Sequence, residues 1–579
     1  MARLNDQVQA LLEEYADLLT LTGGDAFRAR SAEKSARAIG GWPADLADMD
    51  PKAILEIPGV GKSTVGKVDE VRRTGTLESV EKLRAKIPPG VRAMMKVPGV
   101  GPKRALTLHQ DLGVSTVDEL RAAAEAGRLQ DLPGFGGRTE ENIRHGLEVL
   151  EQAAGRADLG TATALAEEIT AALTAVHGCL RCTWAGSLRR LRDSVGDLDI
   201  LAAAHDSAPL MDAFAALPAV AEVIVGGPTK TSVRTRAGLQ IDLRVVAPEA
   251  WGAALVYFTG SKAHNIKLRT RAVRAGLKLS EYGLFDAESG ANLASATEED
   301  VYAALGLAWI PPTLREDRGE VEAAAADELP TLVTERDLRG DLHTHTDLTD
   351  GVASLEDMLA TAKARGYAYY AVTDHAPDLV MQRMTDEKML AQRARLRELA
   401  DARAYGRMRL LHGTELNIGP DGSVDWPADF LAGFDVCVAS VHSHFGADRA
   451  TQTRRLIRAC ENPHVHVIGH PSARRVGRRA PIDADWPAVF AAAARTGTAL
   501  EINAAPGRMD LDDDHVRAAK AAGVRFSIDS DAHSTVQLAN PCFGVGTAQR
   551  AWLGPEDVIN AWPWQQLRRF LGKPNLRGG

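Results

Sequence analysis

Residues 186–199 read GSLRRLRDSVGDLD, and residues 239–244 read LQIDLR. Asp197 and Asp199 stand one residue apart in a run whose Leu198, Ile200 and Leu201 suit a half-buried strand. On a strand, side chains at i and i+2 face the same way, so both carboxylates aim at one point. Ile241-Asp242-Leu243 reads as a second strand that brings a third carboxylate alongside. Three hard oxygen donors beside a Gly-Ser turn and an arginine pair describe a two-Mg²⁺ phosphoryl-transfer site. A solvated acidic strand is the plain alternative, but such strands rarely set two Asp beside Gly.

The surrounding stretch alternates helices and strands. The pattern predicts a helix over 161–176, strands near 197–203, 222–226 and 241–246, and a helix near 249–256. YFTGSKAHNIKLR follows at 257–269. Upstream, a hydrophobic residue followed by Pro-Gly-x-Gly recurs three times, at 57–61, 97–101 and 132–136, each time before an amphipathic helical pattern. Gly59, Gly99 and Gly134 allow positive φ, while Gly61, Gly101 and Gly136 leave backbone N–H groups bare. The helix that follows adds its positive N-terminal end. Such a turn grips a phosphate backbone without reading sequence, and Lys67 and Lys103 add charge to it. The rest of 1–150 reads as short helices.

The chain has 579 residues, 45% of them hydrophobic, and a formal charge of −9. That length predicts roughly four domains. No apolar run approaches the ~20 residues of a membrane span. The first fifteen residues read as an acidic amphipathic helix, not a signal peptide. Five scattered cysteines, with the lone pair Cys179 and Cys182, make no disulfide framework and read as ordinary thiols. The expectation is a cytoplasmic, nucleoid-associated, monomeric protein. The negative net charge excludes a uniformly basic surface but not local DNA-binding patches.

Residues 311–338 are charged, Ala-rich and marked by prolines, which reads as a linker. Beyond it the donor types change: DLHTHTDLTDG (341–351), TDH (373–375), GTELN (413–417), SVHSHF (440–445), GHPSAR (469–474) and DSDAH (529–533). Most follow apolar strand-like runs. Between them lie helical segments at 354–365, 386–404, 448–461, 485–496 and 512–522. Repeated strand–helix units predict a parallel α/β barrel whose ligands converge at the C-terminal strand ends. Mixed His, Asp and Glu donors suit Zn²⁺, Mn²⁺ or Fe rather than Mg²⁺ alone. Arg474, Arg475, Arg478, Arg479 and Arg508 are candidates to clamp substrate phosphates.

GSLRR-x5-GDLD with a downstream IDLR and YFTGS resembles the palm and fingers of the family X DNA polymerases, the group of DNA polymerase beta. The Pro-Gly-x-Gly repeats resemble helix-hairpin-helix motifs of DNA repair proteins. The histidine-rich third resembles the PHP (polymerase and histidinol phosphatase) domain carried by bacterial family X polymerases. The resemblance implies a multidomain fold: an N-terminal all-α helix-hairpin-helix region, an α+β nucleotidyltransferase palm with thumb or fingers, and a C-terminal α/β PHP barrel. The divisions are 1–80 for an N-terminal helical domain of 8-kDa type, 81–155 for the tandem hairpins, and 156–250 for the palm. A nucleotide-binding subdomain at 251–312, a linker at 313–338 and the PHP domain at 339–579 complete them.

The resemblance also implies roles. Asp197 and Asp199 would hold two metal ions, and Asp242 the catalytic one. Ser187, Arg190 and Gly196 would contact the β- and γ-phosphates. Tyr257 and Phe258 would lie beneath the sugar of the incoming nucleotide, with Gly260 in the same turn. Asn265 would approach the nascent base and Arg269 the template. Lys262 replaces an acidic residue and would bind the triphosphate, and Gln240 replaces an arginine beside Asp242. Lys67 falls where polymerase beta carries its Schiff-base lysine, although Ser63 replaces a neighbouring lysine. The implied PHP ligands are His343, His345, Asp350, His375, Glu415, His442, His470, Asp531 and His533, with Asp341, Asp374 and His444 orienting them.

The function implied is filling of short gaps in damaged DNA, with Mg²⁺ or Mn²⁺ at the polymerase site. Two or three Mn²⁺ or Zn²⁺ ions in the PHP domain would support 3′-5′ exonuclease, 3′-phosphatase or abasic-site cleavage. Partners would be gapped or nicked DNA, deoxynucleoside triphosphates and other DNA-repair proteins. Two readings compete: a DNA-binding repair scaffold with a vestigial polymerase core, and a small-molecule phosphatase of the histidinol-phosphate type.

Overall fold

The computed structural model describes residues 4–42, 44–153, 155–379 and 384–572. Residues 4–153 form helices around one apolar core in which Leu12, Ile39, Val68, Val97, Leu108 and Ile143 are buried. Gly59, Gly99 and Gly134 take φ of +85°, +88° and +81°, the left-handed turn that a side chain resists. Helices Lys62–Thr74 and Pro102–Leu112 start at Gly61 and Gly101 with no side-chain cap, and helix Gly137–Ala153 follows Gly136. A Cβ at Gly61, Gly101 or Gly136 would meet nothing within 4 Å, so each turn is open to an approaching backbone.

The next unit carries a five-stranded sheet of β1 (Arg181–Trp184), β2 (Asp197–Ala203), β3 (Val220–Gly226), β4 (Lys230–Thr235) and β5 (Gln240–Val246). Its order is β1-β2-β5-β4-β3. Strands β2 and β5 are parallel neighbours, and all other pairs are antiparallel. Helix Leu159–Thr174 covers one face through Leu159, Ala166, Ile169 and Leu173. Strand β4 escaped the sequence reading because KTSVRT lacks an apolar run.

Helices Trp251–Thr259 and Lys262–Arg274 lead into a small antiparallel sheet of β6 (Leu277–Ser280), β7 (Gly283–Asp286) and β8 (Asn292–Ala294). Part of the stretch read as a linker belongs to this body. Leu314, Val321 and Ala324 enter its core, and Arg315 and Glu320 are buried there. The charges that suggested a solvated segment are paired inward, Arg315 with Glu298 at 2.7 Å and Glu320 with His264 at 2.6 Å.

The C-terminal unit is a seven-stranded parallel sheet in chain order: β9 (Gly340–Asp341), β10 (Tyr369–Val372), β11 (Arg409–Asn417), β12 (Val436–Ser440), β13 (Val467–Gly469), β14 (Ala499–Asn503) and β15 (Phe526–Asp529). A parallel bridge from Thr344 to Ala532, and a hydrogen bond from the Leu342 amide to Asp529, nearly close it into a barrel. The helices Leu355–Ala364, Asp386–Asp401, Arg449–Glu461, Trp486–Thr496 and Asp513–Ala521 fall where periodicity puts them. Each begins at a polar cap, Ser354, Thr385, Asp448, Asp485 or Asp512, whose oxygen accepts a backbone N–H of the first turn.

The barrel packs directly on the central unit. Leu191 lies against Gly546 so closely that a Cβ there would come within 2.7 Å of it. Arg474 pairs with Asp193 at 2.9 Å. Arg550, almost wholly buried, binds Glu316 and Asp513 at 2.8 Å each and the Arg190 carbonyl at 3.0 Å.

Candidate active sites

Strands β2 and β5 place Asp199 directly beside Asp242, with Asp197 one step along the same face. The Gly-Ser turn lies over them. Gly186 has φ of +58°, and a Cβ on it would sit 2.1 Å from the Asp199 carboxylate. Glycine is therefore required twice, for its backbone and for the room it leaves. Burial, then the charges of Asp197 and Asp242, push the Asp199 carboxyl up to about 7. Such crowding of like charges is what a divalent cation relieves.

Asp242 is supported by residues that the sequence reading did not single out together. Lys230 on β4 meets one of its oxygens at 2.6 Å, and Gln240 donates to the other at 2.9 Å. Burial alone would raise this carboxyl, but bonds from Lys230, Gln240 and Ser232 hold it below its ordinary value. Lys230 thus supplies the positive partner of Asp242, beside the neutral amide of Gln240. Strand pairing brings it there, since Ser232 is the residue opposite Asp242.

The nucleotide-contact candidates divide. Ser187 is half-buried and Lys262 exposed, both at turns that open helices. Gly196 is exposed immediately before Asp197. Tyr257 and Phe258 meet edge to face with centroids 5.0 Å apart, and Arg244 lies 4.7 Å over the Phe258 ring. Gly260 has φ of +68°, Asn265 donates to the Tyr257 carbonyl at 2.6 Å, and Arg269 is exposed. Arg190 makes two bonds within the protein: its Nε donates to Glu316 at 2.9 Å and its Nη1 to the Thr259 carbonyl at 2.6 Å. It ties the Gly-Ser turn to the YFTGS turn, leaving Nη2 outside these two bonds. Arg189 does similar work, making a two-pronged bond to buried Glu298 at 2.7 and 2.9 Å.

At the C-terminal ends of the barrel strands the nine expected ligands converge. Glu415 is at the centre, 2.9 Å from His375 and His470, 3.1 Å from His442 and 3.5 Å from His343 and His345. Asp350 lies 3.3 Å from His533 and 3.4 Å from His375, and Asp531 lies 3.2 Å from His345. Three overlapping groups could each hold an ion: His345, Asp350, His375 and His533; His343, His345 and Glu415; His375, Glu415 and His442. Burial would raise Glu415, Asp350 and Asp531, yet the surrounding histidines hold all three well below the ordinary carboxylate range. Buried nitrogens of His343, His345 and His470 have no hydrogen-bond partner. Anionic carboxylates facing orphaned imidazole nitrogens fit divalent cations.

Supporting groups differ in part from expectation. Asp374 accepts from Thr346, Thr349 and Gln392, pinning the loop that carries Asp350. Asp341 accepts from the His343 and Ser530 amides. His444 is bonded to neighbouring Ser443 at 3.0 Å and orients none of the ligands. The main orienting carboxylate is Glu501, which meets His343 Nδ1 at 2.6 Å and was not foreseen. Its setting on β14, in ALEIN, carries no histidine to flag it. Asn417 likewise orients His442 at 2.7 Å. Cys179 and Cys182 are free, with thiols that burial pushes up, and no described residue pairs them with the metal groups.

A carboxylate triad beneath a Gly-Ser turn and a cluster of histidines and carboxylates, both suited to divalent cations, sit on one chain, the pairing expected of a DNA polymerase with a second, phosphoesterase domain. Residues 254–316 match the DNA polymerase beta thumb family, and 341–504 match the PHP domain. Residues 3–77 match a helix-hairpin-helix domain, and 91–148 a SAM-like helix-hairpin-helix tandem. The DNA polymerase/3′-5′ exonuclease PolX of Bacillus subtilis (strain 168) is 35% identical over 563 residues, 97% of this chain and 98% of that protein. The chain is 32% identical over 243 residues to a probable phosphatase of Shewanella sediminis, 40% of this chain and 93% of that protein. It is also 31% identical to probable phosphatase YcdX of Escherichia coli O81, with like coverage at 40% and 93%. The chain belongs to the family X DNA polymerases that carry a C-terminal PHP domain.

Proposed function

We propose that the protein fills short gaps in DNA by nucleotidyl transfer at Asp197, Asp199 and Asp242, and trims 3′ ends at the PHP centre. The observation that carries the first part is the register of Asp199 against Asp242 beneath Gly186. Divalent ions held there, Mg²⁺ or Mn²⁺, would neutralise charge on the attacking and leaving oxygens. The three carboxylates orient those ions, and Lys230 keeps Asp242 ionised and aimed. Ser187, Gly196 and Lys262 line the approach of a triphosphate, and Tyr257 and Phe258 form the aromatic floor for its sugar. The open turns at Gly59, Gly61, Gly99, Gly101, Gly134 and Gly136, with Lys67, Lys103 and Arg269, hold the DNA backbone. Binding therefore weakens with salt.

In the PHP centre, Mn²⁺ or Zn²⁺, two or three ions, would activate a water and hold a phosphate. Glu415 bridges the ligand groups, while Glu501 and Asn417 set the imidazole orientations. The substrates are gapped or nicked DNA and deoxynucleoside triphosphates, with a monomer acting on the nucleoid in the cytoplasm. No described helix is long and apolar enough to cross a membrane. Three DNA-gripping turns speak against a small-molecule phosphatase, and the intact carboxylate triad against a vestigial core. Primer extension on a one-nucleotide gap tests the reading. Wild type extends with Mg²⁺ or Mn²⁺ and Asp242→Ala does not; equal extension by both defeats the polymerase assignment. In Mn²⁺, 3′-labelled DNA loses nucleotides to wild type, and undiminished loss in His343→Ala/His345→Ala defeats the barrel assignment.

A further inference from the structure

The arginines after His470 separate in the fold. Arg474 turns away from the metal centre, with its guanidinium on Asp193 of the central unit and on the Met509 carbonyl. Arg475 and Arg479 instead close a tight turn, each amide donating to the other's carbonyl, at 2.8 and 2.9 Å. Arg479 lies 3.8 Å over the ring of Phe445, three residues beyond His442, and its Nε donates to the Ala473 carbonyl at 2.6 Å. Arg508, on the loop after β14, reaches Asp531 at 3.2 Å with 14% of its side chain exposed. Loops leaving two neighbouring strand ends, after β13 and β14, thus bring three guanidinium groups to one edge of the histidine cluster.

Two of the three charges, those of Arg475 and Arg479, have no ion-pair partner among the described residues, and the partner of Arg508 is itself a metal-ligand candidate. The nearness of Arg508 lowers the Arg475 guanidinium from its ordinary value. Burial, then Arg508 and Arg475, does the same to Arg479. Guanidinium groups gathered in this way suit an anion between them, and their forks fit phosphate oxygens. Arg475 is exposed, so the edge is open to a polymer.

We propose that Arg475, Arg479 and Arg508 form a phosphodiester subsite that holds the DNA strand on the 5′ side of the bond cut at the PHP centre. This rests on the reading of that centre as a 3′-5′ exonuclease. It makes the barrel selective for a strand over a small phosphate ester. A terminal 3′-phosphate has the same recognition chemistry, so the test separates the two.

The full chain, loaded with Mn²⁺, is assayed on a single-stranded oligonucleotide and on the same strand with one neutral methylphosphonate 5′ of the scissile linkage. Wild type slows about tenfold or more on the neutral linkage. Arg475→Gln/Arg479→Gln is already slow on the natural strand and loses less than about twofold more. Exposed Arg475→Gln alone gives the same pattern at smaller size, which guards against misfolding, and Arg475→Lys restores part of the rate. Equal slowing in wild type and both Gln variants overturns the subsite. Loss of 3′-phosphate removal in the variants, without any methylphosphonate interaction, overturns the backbone assignment in favour of the end group. Bis(p-nitrophenyl) phosphate separates the two failures. If wild type hydrolyses it but shows no interaction on the strand, the subsite alone falls. If wild type hydrolyses neither substrate, the nuclease reading falls and the subsite with it.

Discussion

Glu298→Gln is the most demanding test of how the central unit is held together. Glu298 is 5% exposed and receives both prongs of Arg189, one bond from Arg315 at 2.7 Å and one from the Trp309 indole at 3.2 Å. It joins the Gly-Ser turn to the subdomain that carries YFTGS. Burial alone would raise its carboxyl, but the two guanidinium groups hold it at about 2 against an ordinary 4.5. At ~1.4 kcal/mol per tenfold in proton affinity, that difference is worth about 3 kcal/mol. The neutral amide keeps the shape but leaves two guanidinium groups, one fully buried, without their counter-charge, for which breaking buried pairs suggests ~3–5 kcal/mol.

Denaturant unfolding at pH 7 of wild type and Glu298→Gln, followed through the transition of the central unit, reads this difference. The sign with pH is fixed. A carboxyl depressed in the folded state gives its full contribution above about pH 4.5 and loses it as pH falls toward 2. The gap between the two proteins therefore narrows through that window. Nucleotide KM rises in the variant, because the turn carrying Ser187 is no longer pinned. A gap below ~1 kcal/mol at pH 7, or one that does not shrink in acid, refutes the argument.

Gly186→Ala is expected to lower primer extension at least ~100-fold, since the new methyl overlaps the Asp199 carboxylate, while Mn²⁺-dependent trimming persists. Comparable loss of both activities would mean general misfolding instead. Asp199, raised to about 7, must shed its proton for a cation to bind, so Mg²⁺ affinity at that site falls as pH drops below about 7. Calorimetry in buffers of different ionisation heat should show more protons released per Mg²⁺ at pH 6 than at pH 9; equal release counts against it. Arg550→Ala strips Glu316 and Asp513 of a nearly buried partner and should loosen the barrel from the central unit. Limited proteolysis between the units, compared with wild type, checks this. Burial, then Arg28, lowers the Lys67 amine, which lies 5.1 Å over the Tyr15 ring. Borohydride trapping on a 5′-deoxyribose-phosphate end should yield a Lys67-dependent adduct, and its absence removes lyase activity from consideration.

Local rules made much of the chain legible. The i, i+2 aspartates, the Pro-Gly-x-Gly turns and the capped barrel helices each depend on a few consecutive residues. The strand-end histidines were legible for the same reason. Reading failed where a partner lies far along the chain. Lys230 reaches Asp242 only through strand pairing, and Glu501 reaches His343 across 158 residues. Arg190 likewise meets Glu316 126 residues away, a partner that no short stretch announces.

By itself the sequence determined the family and the order of the units, because Pro-Gly-x-Gly turns, paired aspartates and strand-end histidines are encoded by residue type and short spacing. Tertiary structure alone decided how charges are shared out: which arginine joins two units, which faces the histidine cluster, and which carboxylate orients a ligand. Those choices depend on hydrogen bonds and contact ion pairs, which form only at about 3–4 Å. Only packing brings residues hundreds of positions apart within that range.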